Sequence, residues 1–157
     1  MKNPKLILMF AVLFFGISCD PNMLYDQFEK TEGNTWSWEE KKSFTVKMDN
    51  PDNYYNIYIN IRHTKDYPKR NLYVFLTIDG PNEAHTADTI DIAIADDRGK
   101  WLGSGFGDIK FVRKRIREMV RFAYPGEYIF TIEQGMRLEE VPVTDVGLRI
   151  EKYKDFK

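Results

Sequence analysis

The sequence predicts an all-β protein, an antiparallel β-sandwich of jelly-roll or immunoglobulin type. Three observations carry that expectation. Apolar residues recur with period two in six separate stretches, and those stretches are rich in Ile, Val, Tyr and Phe. Gly, Pro, Asn and Asp punctuate the chain between them, as turns require.

In chain order, Phe44, Val46 and Met48 alternate with Ser43, Thr45 and Lys47, which describes a strand with one buried face. Asn50-Pro51-Asp52-Asn53 has turn chemistry. Tyr55, Ile57, Ile59 and Ile61 then alternate with Tyr54, Asn56, Tyr58 and Asn60 as a second strand, followed by a charged loop over residues 65–70. In the third, Leu72, Val74, Leu76 and Ile78 alternate with Tyr73, Phe75 and Thr77, so both faces are apolar and the strand is expected at the centre of a sheet. Ile90, Ile92 and Ile94 mark a fourth strand. Tyr128, Phe130 and Ile132 mark a fifth behind Pro125-Gly126, and Val146, Leu148 and Ile150 a sixth. The stretch 95–121 breaks this rhythm. Trp101-Leu102 reads as a short strand and Glu118, Val120 and Phe122 as another, although Val112, Ile116, Met119 and Val120 also fit helical spacing. Short strands with irregular chain are the expectation there, because a long structureless loop is uncommon in a compact domain.

The first residues assign the compartment. Lys2 and Lys5 precede ten unbroken apolar residues at 6–15, and Gly16-Ile17-Ser18-Cys19 follows. Charge, a short apolar run and small residues before a cut make a secretory signal, and the run is too short to span ~30 Å of hydrocarbon. Cys19 is the only cysteine in the chain, and at this position it reads as a lipidated N-terminus, thioether-linked to diacylglycerol. Residues 1–18 are thus expected to be a lipoprotein signal peptide, 19–40 a polar tether, and 41–157 the sandwich. Trp36 and Trp38, at the end of the tether, are expected to dock on the domain. The lone thiol leaves no disulfide, so the fold must hold by packing. With 23 Lys and Arg against 24 Asp and Glu, the charge is balanced, which speaks against a nucleic-acid partner.

Chemical motifs are sparse. Gly103-Ser104-Gly105-Phe106-Gly107 has neither the dinucleotide spacing nor the Gly-Lys-Ser/Thr of a phosphate loop, and reads as a glycine-rich turn. Ser104 lacks the glycine that a nucleophile elbow needs at Leu102, and His63 and His85 have no orienting motif. No catalytic residue, metal or cofactor is expected. Asp88, Asp91, Asp96, Asp97 and Asp108 do not follow the EF-hand spacing and read as solvated loop and edge residues. Lys110, Arg113, Lys114, Arg115, Arg117 and Arg121 form either a solvated basic face or a contact for anionic headgroups or acidic protein. Tyr54, Tyr58, Tyr73 and Phe75 are either the lining of a second packed layer or a glycan-stacking platform.

Several ordered blocks resemble one family. They are Arg98-Gly99-Lys100-Trp101-Leu102-Gly103-Ser104-Gly105-Phe106-Gly107-Asp108, then Val120-Arg121-Phe122, then Pro125-Gly126-Glu127-Tyr128 running on through Glu133-Gln134-Gly135-Met136-Arg137. Asp145-Val146-Gly147-Leu148-Arg149-Ile150, Ile59-Asn60-Ile61-Arg62 and Asp66-Tyr67-Pro68 complete the set. Together they resemble the gliding motility lipoprotein GldH family over nearly the whole mature chain. The resemblance implies an envelope lipoprotein of the Bacteroidota that serves the adhesin-moving machinery tied to type IX secretion, with no established enzymatic activity. Attachment is then to a membrane through the lipid on Cys19, facing the periplasm or outer surface, with other gliding or secretion envelope proteins as partners. Trp101, Asp108, Glu133, Gln134 and Arg137 are the expected partner surface, because the polar residues and glycines there exceed what packing needs. The alternative is a glycan-binding envelope lipoprotein that uses the tyrosine faces.

Overall fold

A computed structural model of the protein describes residues 20–154. Its strands are β1 (Met23–Lys30), β2 (Trp36–Ser37), β3 (Lys42–Met48), β4 (Tyr55–Thr64), β5 (Asn71–Asp79), β6 (His85–Ala93), β7 (Ile109–Val120), β8 (Gly126–Gln134), β9 (Glu140–Val141) and β10 (Val143–Lys152), with one 3-10 turn at Glu32–Asn34. Two four-stranded antiparallel sheets, in the orders β1-β10-β4-β7 and β3-β8-β5-β6, pack face to face. A small ribbon of β2 and β9 lies beside them.

Among the eight long strands the first pairs with the last, the second with the seventh, the third with the sixth and the fourth with the fifth. That nested order is the jelly roll and not the immunoglobulin arrangement. The six strands read from period two are β3, β4, β5, β6, β8 and β10, and β5 is central in its sheet as its two apolar faces require.

Alternation builds the core. Phe44, Val46 and Met48 of β3, Ile57, Ile59 and Ile61 of β4, Leu72, Val74 and Leu76 of β5, and Phe130 and Ile132 of β8 all face inward and are buried. Each contributes about 1.5–3 kcal/mol by leaving water. On β10 the inward residues are Val143, Val146, Leu148 and Ile150. The change of parity after Val143 is absorbed by a register shift between Val143 and Asp145, a bulge that returns Val146 to the core.

The structure departs from the sequence expectation in two segments. Residues 23–30, expected within a tether, form β1 and pair with β10 from Met23 opposite Glu151 to Lys30 opposite Asp145. Only the half-buried Leu24 and Tyr25 of this edge strand reach the core, so its sequence shows little alternation. Residues 109–120, expected as short strands and irregular chain, form the single strand β7 on the edge beside β4. Two register shifts within that pairing, at Ile57, switch which side chains face inward and erase the period. Arg117 of β7 reaches across the open side of the sandwich to Asp88 of β6, an ion pair between the two sheets.

Candidate functional site

Because every neighbouring pair is antiparallel, the connections sort to two ends. One end carries Asp20 and the connections 49–54, 80–84 and 121–125. The other carries 31–41, 65–70, 94–108 and 135–139. Both segments expected as partner surface, 101–108 and 133–137, fall at that second, far end. Within it their residues play different parts.

Trp101 is largely structural. It bridges Ala95 across a tight turn in which Asp96 Oδ1 accepts from the backbone N–H of Arg98 and of Lys100, both at 2.9 Å, while Gly99 takes φ 78°. Its half-buried indole stands edge-on to His63, 5.1 Å between centroids. His63 is fully buried, its Nδ1 donates to the Thr64 carbonyl at 2.9 Å, and its Nε2 has no partner among the described residues. Burial holds the imidazole pKa below its ordinary value, which favours the neutral ring.

The glycine loop is a turn, as its sequence reads. Ser104 and Phe111 exchange backbone hydrogen bonds at 3.1 and 2.7 Å, and Gly105 at φ 149° lies so near the Ile109 carbonyl that a Cβ would stand 2.4 Å from it. The carbonyls of Gly105 and Gly107 both accept from Lys110 Nζ at 3.2 Å. A phosphate would need N–H groups turned inward, whereas this loop turns carbonyls toward a cation. Phe106 at its tip is fully exposed, and Asp108 pairs with Lys65 at 2.9 Å.

Glu133, Gln134 and Arg137 do come together at this end of the second sheet, Glu133 on its outer face opposite Phe75 and Gln134 on its inner face opposite Val74. Gln134 is buried and clamps the following turn: its Nε2 donates to the Leu138 carbonyl at 2.8 Å and its Oε1 accepts from the Met136 N–H at 2.9 Å. Glu133 pairs with Lys41 at 3.0 Å, and Arg137 is exposed. They line a shallow depression with Trp38, Phe75 and Met136. Trp38 is 52% exposed and Phe75 47%, and Tyr73 lies two residues away on the same face. Trp36 docks as expected, fully buried with Nε1 donating to the Glu40 carbonyl at 2.8 Å, but Trp38 does not. In a continuous strand Trp36 and Trp38 would share a face, but β2 ends at Ser37, so period two does not carry over to Trp38.

The four ring residues Tyr54, Tyr58, Tyr73 and Phe75 do not make one platform. The first two belong to the β4 side of the first sheet and the last two to the outer face of the second. The basic residues on and after β7 are dispersed into local pairs: Arg113 Nε donates to Asn60 Oδ1 at 2.9 Å, Arg115 meets Glu118 at 2.9 Å and Arg121 meets Asp52 at 3.2 Å. The aspartates are likewise engaged, Asp97 with Arg70 at 2.5 Å and Asp91 with Asn71 at 3.0 Å. Among the described residues no group of three or more His, Cys, Asp or Glu side chains is placed to hold a metal ion. Cys19 lies outside the described residues.

The family model described as GldH lipoprotein matches residues 23–150, the whole span from β1 to the end of the core part of β10. The chain is 34% identical over 156 residues to a gliding motility lipoprotein GldH homolog of Christiangramia forsetii, covering 93% of each chain. It is 31% identical over 160 residues to the gliding motility lipoprotein GldH of Flavobacterium johnsoniae, covering 97% of this chain and 98% of that one. Among solved structures it is similar to TmCBM61 in complex with beta-1,4-galactotriose at 11% identity, covering 83% and 82% of the two chains with a TM-score of 0.33, a likeness too loose to carry an argument.

Proposed function

Because the chain belongs to the GldH lipoprotein family, we propose that it is a lipid-anchored, non-catalytic component of a gliding-motility assembly of the cell envelope, linked to type IX secretion. In this reading Cys19 carries the lipid, residues 1–18 are its signal, and the domain binds other envelope proteins on the periplasmic or outer side. The observation that carries the binding role is the depression of Trp38, Phe75, Met136 and Arg137 at the far end. Exposed aromatics beside an arginine have the composition of protein–protein anchors, and leaving such rings in water serves nothing in the fold.

The test is crosslinking and capture of tagged, lipidated protein from native membranes. Gliding or secretion components are expected in the captured material, and Trp38→Ala with Arg137→Ala is expected to release them while the variant stays folded. Capture that survives both changes removes the depression as the contact. Recovery of lipid or glycan alone removes the assembly reading.

A second reading has one observation behind it. Tyr73 and Phe75 stand two residues apart on β5, both exposed on one sheet face, which is a spacing on which sugar rings can stack. Calorimetric titration with peptidoglycan or polysaccharide fragments tests it, and no heat at millimolar ligand eliminates it.

A further inference from the structure

We infer that the end of the sandwich bearing Asp20 rests directly on the lipid surface that holds the anchor, which turns the far end outward. The inference rests on the lipidation of Cys19 proposed above and adds an orientation to it.

Four hydrogen bonds fix the chain from its first described residue. Asp20 Oδ2 accepts from Arg149 Nη2 at 2.6 Å, Asp20 Oδ1 from the Asn22 N–H at 3.1 Å, and the Asp20 carbonyl from the Met23 N–H at 3.2 Å. The Lys152 N–H donates to the Asn22 carbonyl at 2.8 Å, extending the β1–β10 ladder to the same point. Arg149 in turn holds Asp26 and Glu151, each at 2.5 Å. One residue of backbone spans at most ~3.6 Å, so a lipid on Cys19 leaves the domain almost no length in which to swing away.

The surface around that point suits a headgroup layer. Tyr54, Tyr124, Met23 and Met119 are each close to half exposed there, and the Arg121 guanidinium lies 5.7 Å from the centroid of the Tyr54 ring. Tyrosines and long side chains with a polar tip settle at the membrane–water boundary, apolar body inward and polar end in water. At this end Asp49, Asp52, Glu83 and Glu127 outnumber Arg121, Lys152 and Lys154, so the contact depends on rings and apolar stems and not on a net positive charge.

Full-length lipidated protein in phosphatidylcholine vesicles containing spin-labelled lipid gives the test. With the Cys19 thiol occupied by lipid, single cysteines introduced as Tyr124→Cys and Phe106→Cys are labelled with a fluorophore. Loss of fluorescence is expected at position 124 and none at 106, since strands of eight residues separate the ends by ~26 Å. Inserting a Gly-Ser segment between Cys19 and Asp20 is expected to abolish the difference. Equal quenching at both positions in protein whose mass shows the lipid overturns the orientation alone. Protein whose mass shows no lipid overturns both the orientation and the anchoring it rests on.

Discussion

His63 and Trp101 meet edge to face at 5.1 Å, and this contact joins the β6–β7 connection to the inner face of the first sheet. Trp101 therefore secures the loop from behind instead of offering itself to a partner. Trp101→Ala is expected to lower unfolding stability by about 2 kcal/mol, below a fully buried tryptophan because the indole is half exposed. Chemical denaturation measures it, and an unchanged midpoint would return Trp101 to the list of surface contacts.

The same pair makes stability depend on pH. The folded-state pKa of His63 lies below the ordinary 6.5 because burial disfavours the imidazolium, so the unfolded chain binds the proton more readily. Stability from this group is complete above pH 6.5 and is lost as the pH falls from there through the lowered folded value. His63→Phe should flatten the stability profile in that window. Equal slopes in the two proteins would mean that another group governs it.

Gln134 and Arg137 are expected to separate folding from binding, although they stand three residues apart. Gln134→Ala leaves the Leu138 carbonyl and Met136 N–H without their buried partner, a loss of about 1–3 kcal/mol. Arg137→Ala, exposed, should shift stability by no more than about 0.5 kcal/mol while weakening capture of partners. Parallel thermal melts and pull-downs read the two effects.

Gly147 on β10 has no room for a side chain. An added Cβ would stand 2.8 Å from the Phe28 ring and 2.9 Å from the Gln27 carbonyl, both on β1. Gly147→Ala is expected to cost about 1–3 kcal/mol through overpacking and to loosen β1 first. Hydrogen exchange at Gln27 and Phe28 rising ahead of exchange in β4 would display it.

What the sequence made legible follows from burial. Strands with one face wholly in the core, such as β3 with Phe44, Val46 and Met48 inward, leave a period that can be read directly. Edge strands do not. On β1, Phe28 lies outward over Gly147 with the Arg62 guanidinium 4.2 Å from its ring centroid, so an aromatic sits where a polar residue would be expected. On β7 the register shifts break the parity outright. The site was half legible for a related reason. Polar residues at 133–137 fall in the corner where exposed rings gather, but Gln134 holds the turn from inside, and Trp38 and Phe75, which read as docked or as lining, carry the exposed surface.

The pairing of the first long strand with the last gives the fold a direction in time. Only five residues, 80–84, separate β5 from β6, whereas Lys30 and Asp145 meet across nearly the whole domain. Closing a longer loop costs more entropy, so pairing is expected to start at the β5–β6 hairpin and nest outward, with β1–β10 closing last. A chain delivered N-terminus first is therefore expected to stay unfinished until its final strand arrives. The Asp20–Arg149 link joins the chain before the first strand to the last strand, so it is expected to set at the end of folding. Under the anchoring proposed above, a newly tethered chain would stay loosely leashed until the sandwich is complete.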